Sequence, residues 1–386
     1  MDDKSFETRG EGMLSNLTRK PETEFLWFCH LAHDGEFLGT KDLPPRKPTL
    51  EYLSSLIETS SEMGFSSLLT AVNYHMYHET WTVAMALLAR TKGAGLLIAT
   101  RPGIYHPAQF AKMAATAQNL FPGRVRINMV MGSSSAERAM YGDFGGKENQ
   151  LEKTRDYLTL LRKLWNETPV TYKSEYYPIE GAVLEPKPVQ PIPVYLGGAS
   201  PEAQQIAVDL ADVYLTWADK REVIAERVQN VKALAKAKGK NIRVGLRLHV
   251  LVRETEAEAW HAADRMISRI DDDVRKAFVA SHEGIQSTGQ RRQIELAGGT
   301  DLVVEPNLWA GVGIARTGVG LAIVGNPEQV AAKLHDYESL GIDTFILSGY
   351  PHLDEVRRFG EMVMPYFGKG ASSARKIATD TVAPLA

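Results

Sequence analysis

Hydrophobic residues recur along the chain with two alternating periods. Short apolar runs, continuous or at every second position, are typical of β-strands, and apolar residues spaced three and four apart are typical of helices. Eight strand-like runs occur: EFLWFC (24–29), SSLLTA (66–71), GLLIAT (95–100), VRINMV (125–130), PVYLGG (193–198), DVYLTW (212–217), RVGLRLHVLV (243–252) and DTFILSGY (343–350). Helical patterns separate nearly all of them, for example over 49–64, 107–120 and 326–341. This alternation predicts an α/β fold with a parallel sheet, and eight units favour a closed (β/α)8 TIM barrel.

One connection, residues 254–326, is far too long for a single barrel loop. It holds a charged helical pattern (254–272), a polar stretch (281–306) and the glycine-rich WAGVGIARTGVG (309–320). A long polar insertion between the seventh and eighth strands, at the barrel mouth, predicts a lid whose mobile part is about 281–306. An insertion that contacts another subunit is the alternative.

The rest of the chain predicts a single barrel domain over 24–368. Residues 1–23 and 369–386 lack a sustained apolar period, so we expect a flexible N-terminal segment and a C-terminal tail or dimer arm. A helical pattern at 151–165, followed by a proline-rich stretch, fills much of the interval between the fourth and fifth strands.

Composition narrows the class of partner. The formal net charge of −3 gives no basic excess, so we expect neither nucleic acid nor an anionic membrane as a partner. Cys29 is the only cysteine, which excludes an internal disulfide and favours a cytoplasmic setting. The polar N-terminus is unlike a secretory signal, and no apolar run approaches the roughly 20 residues of a membrane span.

The seventh strand carries two costly polar residues. In GLRLHV (245–250), Leu246 and Leu248 occupy one face, and Arg247 and His249 occupy the other. A buried guanidinium and imidazole are unfavourable unless a partner compensates them. We therefore expect them to face a bound anion or a proton acceptor.

Histidines cluster near the predicted strand ends, where barrel active sites lie. Seven of the ten histidines belong to this group: His30, His33, His75, His78, His106, His249 and His352. A metal site is the alternative, but there is no HxH or HExxH pair, and only Asp34 and Glu79 offer nearby carboxylates. We therefore predict no metal.

Two turns add to this set. In LGGASPEA (196–203), two glycines precede a predicted helix that Ser200 caps and Pro201 begins. The free backbone N–H groups at such a helix start suit a phosphate, and an ordinary helix cap is the alternative. In SGYPHLDE (348–355), proline stiffens the turn that carries Tyr350 and His352. Because strand seven neighbours strand eight in a barrel, these two should converge on Arg247 and His249.

DVYLTWAD, VGLRLHVLVRET, EPNLWAGVG, IDTFILSGYPHLDE and PVYLGGASPEA resemble the flavin-dependent alkanesulfonate monooxygenases, a branch of the bacterial-luciferase-like family. The resemblance covers about residues 24–367. It implies a (β/α)8 barrel that uses FMNH2 from a separate NAD(P)H-dependent flavin reductase, with O2 as cosubstrate. It implies cleavage of an organosulfonate C–S bond to give sulfite and an aldehyde.

The resemblance also implies site residues. The catalytic set is Arg247, His249, Tyr350 and His352, which together with Trp217 also bind the substrate. The cofactor set is Asn128, Tyr195, Trp217 and the phosphate turn Gly198, Ala199 and Ser200. We expect Arg247 to bind the sulfonate and His249 to handle protons beside the flavin.

This sequence departs from the family at several positions. NYHMYHE (73–79) replaces a short turn with cysteine, and its hydrogen-bonding Tyr77 and His78 favour a hydroxylated substrate such as the sugar sulfonate sulfoquinovose. Lys147 stands where the family has other residues near the flavin phosphate. The family's lid arginine has no clear counterpart, although Arg291 and Arg292 lie nearby.

Other classes stay open. A flavin- or F420-dependent oxidoreductase of the same fold would act on a non-sulfonate substrate. A non-catalytic flavin-binding barrel would be expected to lack Arg247 or His249, and both are present. Barrel relatives commonly pair, so we expect a homodimer or a higher homo-oligomer.

Overall fold

A computed structural model of the chain describes residues 22–42, 44–131, 135–274, 276 and 287–369, without the side chain of Lys147. Its strands are β1 (Glu24–Cys29), β2 (Ser67–Thr70), β3 (Gly95–Thr100), β4 (Val125–Met129), β5 (Val170–Tyr172), β6 (Ile179–Ala182), β7 (Val194–Gly197), β8 (Val213–Trp217), β9 (Arg243–Val252), β10 (Val303–Glu305), β11 (Leu308–Trp309), β12 (Ala322–Gly325) and β13 (Thr344–Ser348). The principal helices are α1 (Leu50–Glu62), α2 (Thr80–Arg90), α3 (Pro107–Leu120), α4 (Ser135–Met140), α5 (Lys147–Asn166), α6 (Pro201–Leu210), α7 (Arg221–Ala237), α8 (Glu256–Ile267), α9 (Thr288–Ala297), α10 (Val312–Ala315), α11 (Pro327–Ser339) and α12 (His352–Met362).

Eight parallel strands close into a barrel. The order is β1, β2, β3, β4, β7, β8, β9 and β13, and β13 pairs again with β1. These are the eight strands that the apolar runs predict, so the (β/α)8 fold is confirmed. The predicted helices at 49–64, 107–120, 151–165 and 326–341 are also present as α1, α3, α5 and α11.

The alternation of strand residues divides the core in two. Residues on the inner face fill the barrel: Leu26, Phe28, Leu69, Leu97, Tyr195, Val213, Leu215 and Ile346. Residues on the outer face, such as Phe25, Trp27 and Leu96, pack under the helices in a much larger cluster. The inner face therefore determines which side chains reach the barrel mouth.

The insertion after β9 extends the sheet. Strand β12 runs parallel to the upper half of β9, with Ala322 opposite His249, and β10 and β11 add to it in antiparallel order. Sequence patterning predicts no strands here because each has only two to four residues. The same reason hides the β5–β6 hairpin before β7.

Part of the predicted lid is anchored. Residues 281–286 lie outside the described residues, as do 1–21 and 370–386. Within the described part, helix α9 contacts the segment that follows β8. Arg292 pairs with the buried Asp219 at 3.0 Å, and Gln293 Nε2 donates to the Ala218 carbonyl at 2.9 Å. A mobile lid over 281–306 therefore stays a prediction, and α9 has fixed contacts with the barrel.

Candidate active site

Strand register brings the predicted catalytic residues together at the barrel mouth. Ile346 lies opposite Arg247 and Ser348 lies opposite His249. Because alternate residues share a face, Tyr350 continues the inward-facing row of β13, and His352 follows at the start of α12. The ring centroids of His249 and Tyr350 are 5.7 Å apart.

Arg247 is buried and has no carboxylate partner. Its Nη1 donates to the carbonyls of Leu248 at 2.6 Å and Ile346 at 3.4 Å, and its guanidinium lies 4.7 Å from the centre of the Phe28 ring. Burial, and then the charge of Arg316, lower the pKa of Arg247 to about 9. The side chain therefore keeps its charge at neutral pH and offers its remaining donors to a ligand.

Arg316 is a second cation at this site, and sequence reasoning missed it. It lies after α10 and its Nη1 donates to the Tyr350 hydroxyl. Within the described part of the chain, no carboxylate forms an ion pair with Arg247 or Arg316. The available signal was an arginine within the glycine-rich WAGVGIARTGVG. The two arginines that the sequence offered for the lid have other positions: Arg292 pairs with Asp219, and Arg291 is exposed on the same helix.

His249 is held by hydrogen bonds at both ring nitrogens. Nε2 lies 3.0 Å from the Val319 carbonyl and Nδ1 lies 2.6 Å from the Ser348 hydroxyl. A carbonyl only accepts, so Nε2 carries the hydrogen and Nδ1 accepts from Ser348. Burial, followed by the charge of Arg247, lowers the pKa of His249 well below its usual range. The neutral ring has no nitrogen left for a ligand, which argues against the expected role in proton transfer.

His352 has the opposite environment. The residue is buried, and neither ring nitrogen has a hydrogen-bond partner. Its ring stacks on His30 with centroids 5.7 Å apart and meets the Tyr350 ring edge-on at 4.8 Å. Burial and the neighbouring His30 and arginines lower the pKa of His352 well below its usual range. Both ring nitrogens of His352 are available to a bound molecule, and Nδ1 of the stacked His30 is likewise unpartnered.

The predicted phosphate turn forms as expected and borders a small cavity of about 80 Å3. Ser200 Oγ accepts from the Ala203 N–H at 3.3 Å and caps α6, with Pro201 in the first helical position. A Cβ on Gly198 would lie 2.4 Å from the Ala203 side chain, so only glycine fits there. The cavity is closed by Arg138 and by the start of α9, which lies against the Trp217 ring.

Unpartnered polar atoms lie on the β3–β4 wall of the mouth. Asn128 Oδ1 and Arg101 Nη2 are both buried without hydrogen-bond partners. Asn128 lies opposite Ala99, and Arg101 is two residues further on the same face. An acceptor and a donor on one wall match the edge of a flavin pyrimidine ring, which presents both N–H and C=O groups. Together with the phosphate turn and Arg138, these residues fit FMN.

Four predicted site residues are not part of this cluster as described. Tyr195 faces the barrel interior near its bottom, and its hydroxyl donates to Glu24 Oε2 at 3.4 Å, so the structure removes it from the cofactor set. Tyr77 is exposed on the rim beside His33, and His78 Nε2 lies 2.6 Å from the Pro48 carbonyl. Lys147 begins α5, and its side chain lies outside the described atoms. The described residues include no group of three His, Cys, Asp or Glu side chains arranged to hold a metal.

The fold and the site together define a (β/α)8 barrel with a buried, positively charged mouth, the arrangement of a barrel enzyme. The profile of the luciferase-like monooxygenase family matches residues 23–344. The chain therefore belongs to the luciferase-like monooxygenases, a family of flavin-dependent enzymes. None of the described helices is both long and apolar enough to cross a membrane.

Solved structures share this fold at low sequence identity. A riboflavin lyase with modified FMN and riboflavin matches with a TM-score of 0.76 and 17% identity, over 91% of this chain and 93% of its own. The EDTA monooxygenase of Chelativorans sp. BNC1 matches at 0.72 and 17%, over 92% and 98%. An F420-dependent secondary alcohol dehydrogenase matches at 0.66 and 19%, over 90% and 99%. At these identities the likeness extends to the fold alone.

Proposed function

We propose that the protein is a two-component FMNH2-dependent monooxygenase that cleaves the C–S bond of an organosulfonate. In the overall reaction the sulfonate, O2 and FMNH2 give an aldehyde, sulfite, FMN and water. A separate NAD(P)H-dependent flavin reductase supplies the FMNH2. The observation that carries the proposal is the pair Arg247 and Arg316: Arg247 is buried, Arg316 is half-buried and close enough to lower the pKa of Arg247, and neither has a carboxylate partner among the described residues.

Two uncompensated arginines favour a ligand that is always anionic. A sulfonate keeps its charge at neutral pH, and its oxygens accept from the guanidinium donors of Arg247 and Arg316. Because Arg316 donates to the Tyr350 oxygen, the hydrogen of that hydroxyl is available for a third contact. The interaction is stronger in this buried mouth than in water.

Bound FMNH2 would supply the electrons that activate O2. The phosphate turn at Gly198–Ser200 and Arg138 would hold its phosphate, and Asn128 and Arg101 would meet its ring edge. Trp217, at the end of β8 and opposite Arg247, would form the wall between flavin and substrate. His352, neutral and with free ring nitrogens, is the group we assign to proton transfer at the carbon next to sulfur.

The organic part of the substrate extends toward the rim. Tyr77 lies there with most of its side chain exposed, and the neighbouring Tyr74 is likewise exposed. Their hydroxyls and aromatic faces suit a sugar sulfonate such as sulfoquinovose better than a plain alkyl chain. An alkanesulfonate is the other substrate class.

A sulfite-release assay tests the proposal. The protein would be combined with FMN, NADPH and a flavin reductase, and given octanesulfonate, methanesulfonate or sulfoquinovose in air. We expect sulfite from at least one substrate, and a loss of 30-fold or more, roughly 2 kcal/mol or more of transition-state binding, in Arg247→Met. Arg90→Met is the matched control, because Arg90 pairs with Glu51 on the surface.

Two results would overturn the proposal. One is near wild-type sulfite release by Arg247→Met. The other is the absence of sulfite from all three substrates together with anaerobic hydride transfer to or from F420. The F420 assay is included because an F420-dependent alcohol dehydrogenase shares this fold.

A further inference from the structure

A buried carboxylate lies directly behind His352. Asp34, in the loop after β1, is 1% exposed, and its Oδ2 accepts the backbone N–H of His352 at 2.9 Å. The same oxygen accepts the hydroxyl of Tyr52 on α1. The backbone of Asp34 is fixed in turn by an antiparallel bridge to Arg46, with hydrogen bonds of 2.8 and 3.2 Å.

This contact supplies what the local sequence of α12 lacks. Pro351 precedes the helix and has no side chain to cap its first N–H groups. The Asp34 carboxylate caps that end from across the molecule, where a negative charge is favoured by the helix dipole. The first residue so held is His352, whose own ring has no hydrogen bond to fix it.

We propose that Asp34, oriented by Tyr52, is the positioning residue that fixes His352 for proton transfer. Its ionised form holds the His352 backbone by a charge-assisted hydrogen bond, and its protonated form holds it by a weaker neutral one. The inference rests on the proposed function only for the identity of the reaction.

The charged and titratable groups around Asp34 are few. Tyr52 faces it from α1, Arg46 from the loop before α1, and His352 from α12; Arg46 also pairs with Asp354 at 2.8 Å. Burial raises the pKa of Asp34 to about 6, although the hydrogen bonds from Tyr52 and His352 act in the opposite direction. Activity should therefore fall as the pH drops through about 6.

Three variants separate the charge from the hydrogen bonds. Asp34→Asn keeps an oxygen for both donors but does not ionise, so kcat should stay at the low-pH level of the wild type, with no acid limb from this group. Tyr52→Phe removes a bond that lowers the Asp34 pKa, so the acid limb should move to higher pH. Asp34→Ala should lower kcat about tenfold to hundredfold with an unchanged Kd for FMN. Tyr172→Phe is the matched control, since the Tyr172 hydroxyl donates to Asp156 at 2.9 Å on the outer side of the barrel.

A second readout needs no substrate. In NMR spectra of protein with labelled histidines, the His352 resonances, assigned with His352→Gln, should shift in Asp34→Asn and Tyr52→Phe but not in Tyr172→Phe. If the wild type releases no sulfite while these shifts occur, the proposed function fails and the positioning role stands. If sulfite is released but the acid limb and the His352 resonances are the same in all variants, Asp34 does not position His352.

Discussion

At the residue scale, the mouth is a set of neutral rings among uncompensated cations. Arg247 and Arg316 both lower the pKa of His352. A bound anion would cancel much of that repulsion, so it should raise the pKa of His352 and make protonation easier. Binding and protonation at this site are therefore coupled through charge alone.

We predict that binding of a sulfonate at pH 6 is accompanied by net proton uptake. Isothermal titration calorimetry in buffers of different ionisation enthalpy would measure it. His352→Gln should abolish the uptake while keeping anion binding, because Arg247 and Arg316 remain. Equal uptake by His352→Gln and the wild type would assign the proton to another group.

Asp34 gives a pH-dependent stability prediction. Its pKa is raised from 3.8 to about 6, so the folded state holds this proton more tightly than the unfolded state does. The stabilising contribution is complete below about pH 4 and is lost as the pH rises through 6, a change of about 2–3 kcal/mol. Asp34→Asn lacks this loss. In urea unfolding from pH 4 to pH 7.5, the free energy of unfolding of Asp34→Asn should rise relative to that of the wild type as the pH increases. A difference that stays constant with pH would contradict this prediction.

At the element scale, helix α9 connects the insertion to the ends of β8 and β9. Gln293 on α9 accepts the Gly320 N–H at 2.9 Å and donates to the Ala218 carbonyl at 2.9 Å. Gly320 follows Val319, whose carbonyl holds His249. The Gln293 side-chain amide thus connects the residue after β8 to the glycine-rich segment that holds His249.

Gln293→Ala should loosen this segment. Two buried backbone groups lose their partner, so we expect a loss of about 1–3 kcal/mol in the free energy of unfolding. Hydrogen exchange should increase at Gly318–Gly320, because the Gly320 N–H loses its acceptor. Gln205→Ala, which removes only a partly exposed contact with Asp209, is the control. Unchanged exchange at Gly320 would show that the segment is held by other contacts.

The elements also show what sequence can and cannot predict. Periodicity identifies all eight barrel strands. It also identifies the inward face of β9, because polar and apolar residues alternate within RVGLRLHVLV. It does not give height within the barrel: Tyr195 shares the inward face, but as the second residue of the short β7 it lies toward the bottom. Arg316 is invisible to periodicity because it lies in an irregular loop, and only tertiary packing places it on Tyr350.

At the scale of the whole molecule, the two barrel ends carry different charges for different purposes. The bottom layer holds a closed ion network: Glu24 pairs with Arg126 and Arg243 at 2.9 Å each, and Arg243 pairs with Asp343 at 3.1 Å. At the mouth, Arg101 pairs with Glu137 at 3.3 Å, whereas Arg247 and Arg316 have no carboxylate partner among the described residues. The bottom network compensates its charges within the barrel, and under the proposed function the substrate anion compensates those of Arg247 and Arg316.

Glu24→Gln tests this division. Removing the carboxylate leaves Arg126 without an ion-pair partner and Arg243 with Asp343 alone, so the free energy of unfolding should fall by about 3 kcal/mol at pH 7. Burial alone would raise the pKa of Glu24, but interaction with those arginines lowers it overall, so the contribution of this carboxylate is present above the ordinary pKa of 4.5 and is lost as the pH falls below it; the stability difference between the two proteins should therefore shrink as the pH falls below 4.5. Because the apolar layer of Leu26 and Ile346 separates this network from the mouth, kcat and the Kd for FMN should change less than twofold where the variant is folded. Urea unfolding and steady-state kinetics measure both, and a large loss of activity without a loss of stability would mean that the network acts on the site through the barrel.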